Sequence, residues 1–259
     1  MPDYPLPHAS FDLTGQVALV TGASSGLGHR FARVLAAAGA SVAVAARRTD
    51  RLDALVQTIR AAGGRAEAFA LDVTQDAQFA PLFDDIAARL GASPAILVNN
   101  AGIPDAQRAH KMSVADIDRV MAVNLRAPWL LSCEFARRRM SAQQPGRIVN
   151  IASMAAYQYK GGGAALYATT KMAVVRMTEA LAVEWAKFGI NVNAIAPGAF
   201  ASEMMDGMLQ RVGDITQGFP RQRLGDPAQM DSTLLYLVAP ASDFVTGTTI
   251  RIDDAQGGR

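Results

Sequence analysis

Thr21-Gly22-Ala23-Ser24-Ser25-Gly26-Leu27-Gly28 follows the apolar run Val17 to Thr21 and leads into a helical pattern from Leu27. A glycine-rich turn between a strand and a helix lets backbone approach a pyrophosphate, and the helix N-terminus offers free N–H groups and a positive dipole end. The spacing is Gly-x-x-x-Gly-x-Gly rather than the commoner Gly-x-Gly-x-x-Gly. A tight turn without a ligand would use the same residues, and a methyltransferase would also place a glycine-rich turn here. The end of the next strand separates these readings. A ribose-binding site usually carries Asp or Glu there. This chain has Ala45-Ala46-Arg47-Arg48, with Ala46 at the acid's place. Alanine leaves room for a 2′-phosphate and Arg47 can pair with it. A hydrogen bond to a charged group contributes about 1.5–3 kcal/mol. The reading is NADP(H) as the preferred cofactor, with NAD(H) also admitted. Arg48 is expected to be the more solvated of the two, and a pair of solvated arginines is the bland alternative.

Outward from this turn, short apolar segments alternate with helical ones. Strands are expected at Val17 to Thr21, Ser41 to Ala46, Ala66 to Leu71, Ala95 to Asn99, Arg147 to Ile151, Ile190 to Ala196 and Thr249 to Ile252. Their near-continuous hydrophobicity suits strands covered on both faces. Helices are expected at Leu27 to Ala38, Asp50 to Ala62, Asp76 to Leu90, Ser113 to Met140, Ala164 to Phe188 and Pro227 to Leu237. This alternation predicts a doubly wound α/β fold, a single-domain Rossmann arrangement whose seven parallel strands carry helices on both faces. Residues 1–12 read as a loose arm and 13–259 as one dinucleotide-binding and catalytic domain.

Of 259 residues, 50% are hydrophobic and 19% charged, with net charge +2. No basic stripe points to nucleic acid. The single cysteine, Cys133, excludes an intrachain disulfide and fits a reducing compartment. It lies in an apolar helical stretch, where a packed thiol is expected. The first eight residues contain Pro2, Pro5 and Pro7 and no basic-then-apolar leader. The longest apolar run, Ala36 to Ala46, is interrupted by Gly39 and Ser41 and falls short of the roughly 20 residues of a membrane span. A cytoplasmic protein without membrane contact is the expectation.

Tyr167 and Lys171 stand four residues apart in a helical stretch, where i and i+4 share a face. An ammonium about 4 Å from a phenol, at an effective dielectric of about 20, is worth about 4 kcal/mol, or on the order of three pKa units. That would make the phenol an acid/base near neutral pH. Tyr157 and Tyr159 have glycine, not lysine, four residues on (Gly161 and Gly163).

Together these motifs resemble the short-chain dehydrogenase/reductase family from about Leu13 to about Asp253. Thr21 to Gly28 resembles its cofactor turn. Leu71-Asp72-Val73 is similar to the adenine-contacting segment, and Asn99-Asn100-Ala101-Gly102 to the motif that stabilises the central sheet and lines the cofactor. Asn124 resembles the helix asparagine that anchors a proton relay. Ser153, Tyr167 and Lys171 resemble the catalytic trio. Pro197-Gly198 resembles the turn under the nicotinamide, and Ser202 stands where a hydroxyl holds the carboxamide.

The resemblance implies an oxidoreductase interconverting a ketone and a secondary alcohol. Tyr167 would be the general acid/base, Ser153 the oxyanion donor, Lys171 the modulator and ribose ligand, and Asn124 the relay anchor. It implies Gly22, Ser24, Ser25, Gly26, Leu27, Gly28, Arg47, Arg48, Asp72, Val73, Asn100, Ala101, Gly102, Pro197, Gly198 and Ser202 as cofactor contacts, no metal, and a homo-oligomer, tetramer or dimer, joined through the long helices. Two readings stay beside this one: a 3-oxoacyl thioester reductase, and an NADP(H)-binding sensor without turnover. Against the first, Val183 stands where such reductases carry a basic residue before Glu184, although Arg137, Arg138 and Arg139 could dock an acidic partner; a solvated face is the plainer reading.

The chain departs from the family pattern at two places. Thirteen residues separate Ser153 from Tyr167, one more than the usual spacing, and Gly161-Gly162-Gly163 is expected to absorb the surplus. The end reads Asp253-Asp254-Ala255-Gln256 where the family has Asp-Gly-Gly, so a different path is expected for the tail. Residues 199–226, with Met204, Met205, Met208, Leu209 and Phe219, read as an adaptable apolar lid over a small carbonyl or alcohol substrate.

Overall fold

A computed structural model describes residues 8–105, 107–159, 161 and 163–257. Residues 1–7 of the expected arm and Gly162 of the expected loop lie outside them. Seven parallel strands form one sheet in the order β3-β2-β1-β4-β5-β6-β7. The strands are β1 (Val17–Thr21), β2 (Ser41–Ala46), β3 (Arg65–Ala70), β4 (Ile96–Asn99), β5 (Gly146–Ile151), β6 (Ile190–Pro197) and β7 (Thr249–Ile252). The helices are α1 (Gly26–Ala37), α2 (Thr49–Ala61), α3 (Phe79–Leu90), α4 (Val114–Met121), α5 (Ala127–Ser141), α6 (Ala165–Trp185), α7 (Glu203–Val212) and α8 (Asp231–Val238).

Two apolar layers cover the sheet. On one face α1, α2 and α8 bury Phe31, Leu35, Leu52, Leu55 and Leu234 against Val20, Val42, Val44 and Val98. On the other α3, α5 and α6 bury Phe83, Ile86, Leu131, Phe135 and Leu181 against Leu19, Ala43, Leu97 and Ile148. Alternate residues of β1 thus serve opposite layers, as the pleat requires, and this explains the uninterrupted apolar runs. Leu13 is buried and its N–H donates to the Ala38 carbonyl at 2.7 Å, so packing begins there.

The chain reverses its direction of growth between β1 and β4, and in open sheets of this kind ligands bind where two neighbouring strands diverge, beyond their C-terminal ends. Here those ends are Thr21 and Asn99.

Three expectations need correction. The helix expected over Ser113 to Met140 is interrupted by a π-helical turn, Ala122–Arg126, between α4 and α5. Pro128 cannot donate an N–H to the Asn124 carbonyl four residues back, so the α register fails there. The stretch 199–226, expected as an adaptable apolar lid and given no helix, contains α7. Ser202 caps that helix, its Oγ accepting from Met205 N–H at 3.2 Å. Arg138 and Arg139 are not a solvated or docking face. Arg138 pairs with Glu134 and Asp84, and Arg139 is buried with its Nε donating to the Pro145 carbonyl at 2.8 Å. Cys133 is half-buried among apolar neighbours, and desolvation raises its thiol pKa. Among the described residues no helix is long and apolar enough to cross a membrane.

Candidate active site

The glycine turn is fastened to the loop after β4. The Asn100 side chain donates to the carbonyls of Thr21 (3.0 Å) and Gly22 (3.2 Å), and Thr21 Oγ1 accepts from the N–H groups of Asn100 and Ala101 at 3.1 and 3.2 Å. Gly22 has φ +66°, and a β-carbon there would stand 2.8 Å from Ala101 Cα. A β-carbon on Gly28 would stand 2.4 Å from Asn100 Nδ2 and 2.5 Å from the Gly22 carbonyl oxygen. These two glycines therefore serve a close junction between the turn and the loop after β4. Leu27 packs into the layer beneath, and Ser202 Cβ lies 3.4 Å from where a β-carbon on Gly26 would be. The start of α7 thus overhangs the turn.

Arg48 is exposed, as expected, and it is also held by hydrogen bonds. Its guanidinium donates to Ser24 Oγ (3.0 Å) and Ser25 Oγ (2.8 Å), and to Glu203 Oε2 at 3.0 Å. Arg51 pairs with the other oxygen of the same carboxylate. Hydrogen bonds from Arg51, then Arg48 and Ser25, hold the Glu203 carboxyl at a pKa of about 2. Arg47 is exposed beside Ala46 and contributes to the lowered pKa of Asp72, whose largest cause is the hydrogen bond from Thr74 N–H. The Asp72 Oδ1 accepts from that N–H at 3.0 Å and from Thr74 Oγ1 at 2.8 Å, closing the turn after β3. Val73 packs against the layer holding Leu131 and Ala127.

Ser153, Tyr167 and Lys171 come together at the C-terminal ends of β4 and β5. Tyr167 and Lys171 lie in the first two turns of α6. Lys171 is 5% exposed; its Nζ donates to the Ile151 carbonyl at 2.7 Å and stands 5.6 Å from the centroid of the Tyr167 ring. Ser153 follows β5, and its Oγ accepts from Ala155 N–H at 3.1 Å, capping a short 3-10 turn. Electrostatics differ from the sequence expectation. Burial pushes the phenol up, against a smaller downward pull from the Ser153 hydroxyl, while Asp105 adds to the rise. Burial also pulls the Lys171 ammonium down to about 8. The lysine points to a carbonyl instead of the phenol oxygen, and desolvation disfavours the ionised form of both groups. The phenol is therefore raised, where the helical spacing had suggested a lowered value.

Asn124 is buried on the π turn. Its Oδ1 accepts from Ile103 N–H and its Nδ2 donates to the Ile103 carbonyl, both at 2.9 Å. A β-carbon on Gly102 would sit 3.5 Å from Lys171 Nζ and 3.6 Å from Asn124 Oδ1, so both side chains face the same open backbone. Below, Asn99 Nδ2 donates to Asn150 Oδ1 (2.9 Å) and Ser132 Oγ (3.0 Å), and Asn150 Nδ2 donates to Thr178 Oγ1 (2.9 Å). This ladder ties β4 and β5 to α5 and α6 and fixes the platform under the trio. Asn150, Ser132 and Thr178 were not anticipated; their only signal is a polar residue inside an otherwise apolar strand or helix face.

Pro197 ends β6. Gly198 N–H donates to the Ile252 carbonyl at 2.8 Å, and a β-carbon there would meet Gln256 Oε1 at 2.4 Å. The unusual tail thus turns back on this corner, with Ala199 N–H donating to Gln256 Oε1 at 2.7 Å and Arg223 Nε to Asp254 Oδ2 at 2.7 Å. Asp254 and Ala255 take φ +49° and +62°.

The short chain dehydrogenase family profile matches residues 16–212. The 2-dehydro-3-deoxy-D-gluconate 5-dehydrogenase of Dickeya dadantii (strain 3937) is 35% identical over 249 residues, 94% of this chain and 96% of that protein. Among solved structures, a gluconate 5-dehydrogenase from Burkholderia cenocepacia J2315 in complex with NADP and tartrate superposes with TM-score 0.90 at 30% identity, covering 97% of this chain and 99% of that one. An actinorhodin polyketide ketoreductase with NADPH gives TM-score 0.89 at 31% identity, over 94% and 98%.

Proposed function

This chain belongs to the short-chain dehydrogenase family, and from that membership we propose that it is an NADP(H)-dependent oxidoreductase interconverting a ketone and a secondary alcohol, with Tyr167 as general acid/base. The observation that carries this reading is the meeting of Ser153, Tyr167 and Lys171 beside the glycine turn. The cofactor fits the chain's own residues. The glycine turn stands at the N-terminus of α1, Ala46 replaces the acid that would repel a 2′-phosphate, and Arg47 and Arg48 flank that place. Solved relatives carry NADP or NADPH.

When bound, the nicotinamide supplies or accepts the hydride. The protein handles the proton. The Ser153 hydroxyl donates to the carbonyl oxygen, and the Tyr167 hydroxyl passes its proton to that oxygen as it gains negative charge. A half-buried phenol whose pKa is raised by desolvation is protonated at neutral pH, the state that reduction requires. In the oxidative direction the phenol must first release its proton, so oxidation is favoured by alkaline conditions. Lys171 would hold the ribose end of the cofactor, and Asn124 keeps the Ile103 backbone in place. Residues 199–226 form the substrate cover over a domain that runs from 13.

Self-association fits the outer face of α4, α5 and α6. Met121, Trp129 and Val183 are exposed there, and Leu125, Leu130 and Met177 line the groove between them. A second copy would cover this face; elution as a 27 kDa species would overturn it.

The decisive experiment is Tyr167→Phe tested with NADPH and a panel of sugar, acyl-thioester, steroid and aromatic ketones. The expected result is turnover by the native protein, its loss by on the order of a thousandfold in the variant, and unchanged NADPH binding by fluorescence. Binding without turnover of any ketone by the native protein would favour a sensor instead.

A further inference from the structure

Asp105 lies in the loop after β4, three residues beyond Gly102, and is 5% exposed. Its Oδ2 accepts from the backbone N–H groups of Leu166 at 3.0 Å and Tyr167 at 3.2 Å. Those N–H groups belong to the first turn of α6, where they have no intrahelical acceptor. The residue at the usual capping position is Ala164, which has no side chain for the task. The cap therefore comes from a carboxylate 61 positions upstream. Asp105 Oδ1 is buried and has no hydrogen-bond partner among the described residues. A desolvated carboxylate oxygen left bare is costly, so this side chain is not explained by stability alone.

The loop that carries Asp105 is itself anchored. Ile103 is bound both ways by Asn124, and Pro104 between them restricts the backbone. A continuous connection therefore runs from the π turn, through Ile103 and Asp105, to the backbone of Tyr167. We propose that Asp105 is a positioning residue for Tyr167, capping the helical turn that carries the phenol and keeping a buried carboxylate near it. This rests on the assignment of Tyr167 as the acid/base. The capping interaction fixes where the hydroxyl stands. The charge opposes loss of the phenolic proton, in the same sense as its contribution to the raised phenol. Among the described residues, the charged groups facing the phenol are Asp105 from the β4 loop and Lys171 from α6, with the neutral Ser153 hydroxyl from the loop after β5.

The test separates position from charge. Asp105→Asn keeps a capping acceptor and removes the charge; Asp105→Ala removes both. For Asp105→Asn, the rising acid limb of kcat/KM for alcohol oxidation, which reports loss of the phenolic proton, should move down by about one pH unit, with reduction at neutral pH kept within about threefold. Ultraviolet titration of the ligand-free protein should show the same downward shift for the tyrosinate that is missing from Tyr167→Phe. Asp105→Ala should lose about tenfold or more in kcat with NADPH affinity unchanged. If the alanine variant does not fold, the asparagine variant carries the test through both pH readouts. Superimposable profiles for native protein and Asp105→Asn would overturn the proposal while leaving the Tyr167 assignment intact. Full turnover by Tyr167→Phe would instead remove that assignment, and this inference with it.

Discussion

Arg48 and Glu203, 155 residues apart, meet at 3.0 Å across the mouth of the glycine turn. The contact joins the end of β2 to the first residue of α7, and the same guanidinium holds Ser24 and Ser25. A carboxylate therefore stands among the cations nearest the expected 2′-phosphate place. Removing its charge should favour the more anionic cofactor. Glu203→Gln is expected to tighten NADPH binding by about threefold to tenfold and to leave NADH binding within about twofold. Fluorescence titration of both cofactors checks this, and equal changes for the two would show that Glu203 does not face the phosphate.

Gly28→Ala should fail for a local reason. The added methyl meets Asn100 Nδ2 and the Gly22 carbonyl oxygen, both part of the junction between β1 and β4. Overpacking of this kind costs about 1–3 kcal/mol. A thermal melt should show the loss of stability, and cofactor binding should weaken by tenfold or more because the turn must open. A variant with native affinity would mean that the junction yields without cost.

Lys171 gives a pH signature. Its pKa falls from 10.5 to about 8 on burial, so below about pH 8 it is protonated in both folded and unfolded chains. Between about 8 and 10.5 only the unfolded chain holds the proton, and stability contributed by this residue rises with pH. Relative to Lys171→Met, the native protein should gain on the order of 3 kcal/mol across that window. Denaturant unfolding at several pH values measures the difference; a flat difference would show an unperturbed lysine.

Ala255 occupies the left-handed region at φ +62°, where a side chain costs about 1 kcal/mol. Ala255→Gly should raise the unfolding free energy by about that amount and Tm by about 2–4 °C. Asp254→Gly should gain much less, since it forfeits the contacts of Asp254 with Arg221 and Arg223. A lower Tm for Ala255→Gly would place the tail's constraint elsewhere.

The strands were readable because burial on both faces leaves unbroken apolar runs, and β1, β2 and β7 begin and end where the pattern does. Chemistry concentrated in short motifs was readable too: Tyr167, Lys171 and Ser153 fall together as their order suggests. Long-range electrostatics were not. Nothing near Asp105 in sequence tells that its carboxylate reaches α6, and helical spacing alone could not tell that Lys171 would turn to the Ile151 carbonyl. The contact of Arg48 with Glu203 was not readable because Glu203 stands in a segment given no helix in the sequence reading.

The five residues Ala122–Arg126 add one position to a helical count that otherwise runs 3.6 to the turn. Each added residue advances a helix by about 100°, so α4 and α5 are out of phase with each other by that angle. Shortening this stretch by one residue would restore a uniform screw, yet it would swing Asn124 away from Ile103 or carry the Leu131 and Phe135 face out of the interior. Insertions and deletions are absorbed by surface loops; at this point the chain's length is itself part of the design, and a single-residue indel would do more damage than most substitutions of the residues around it.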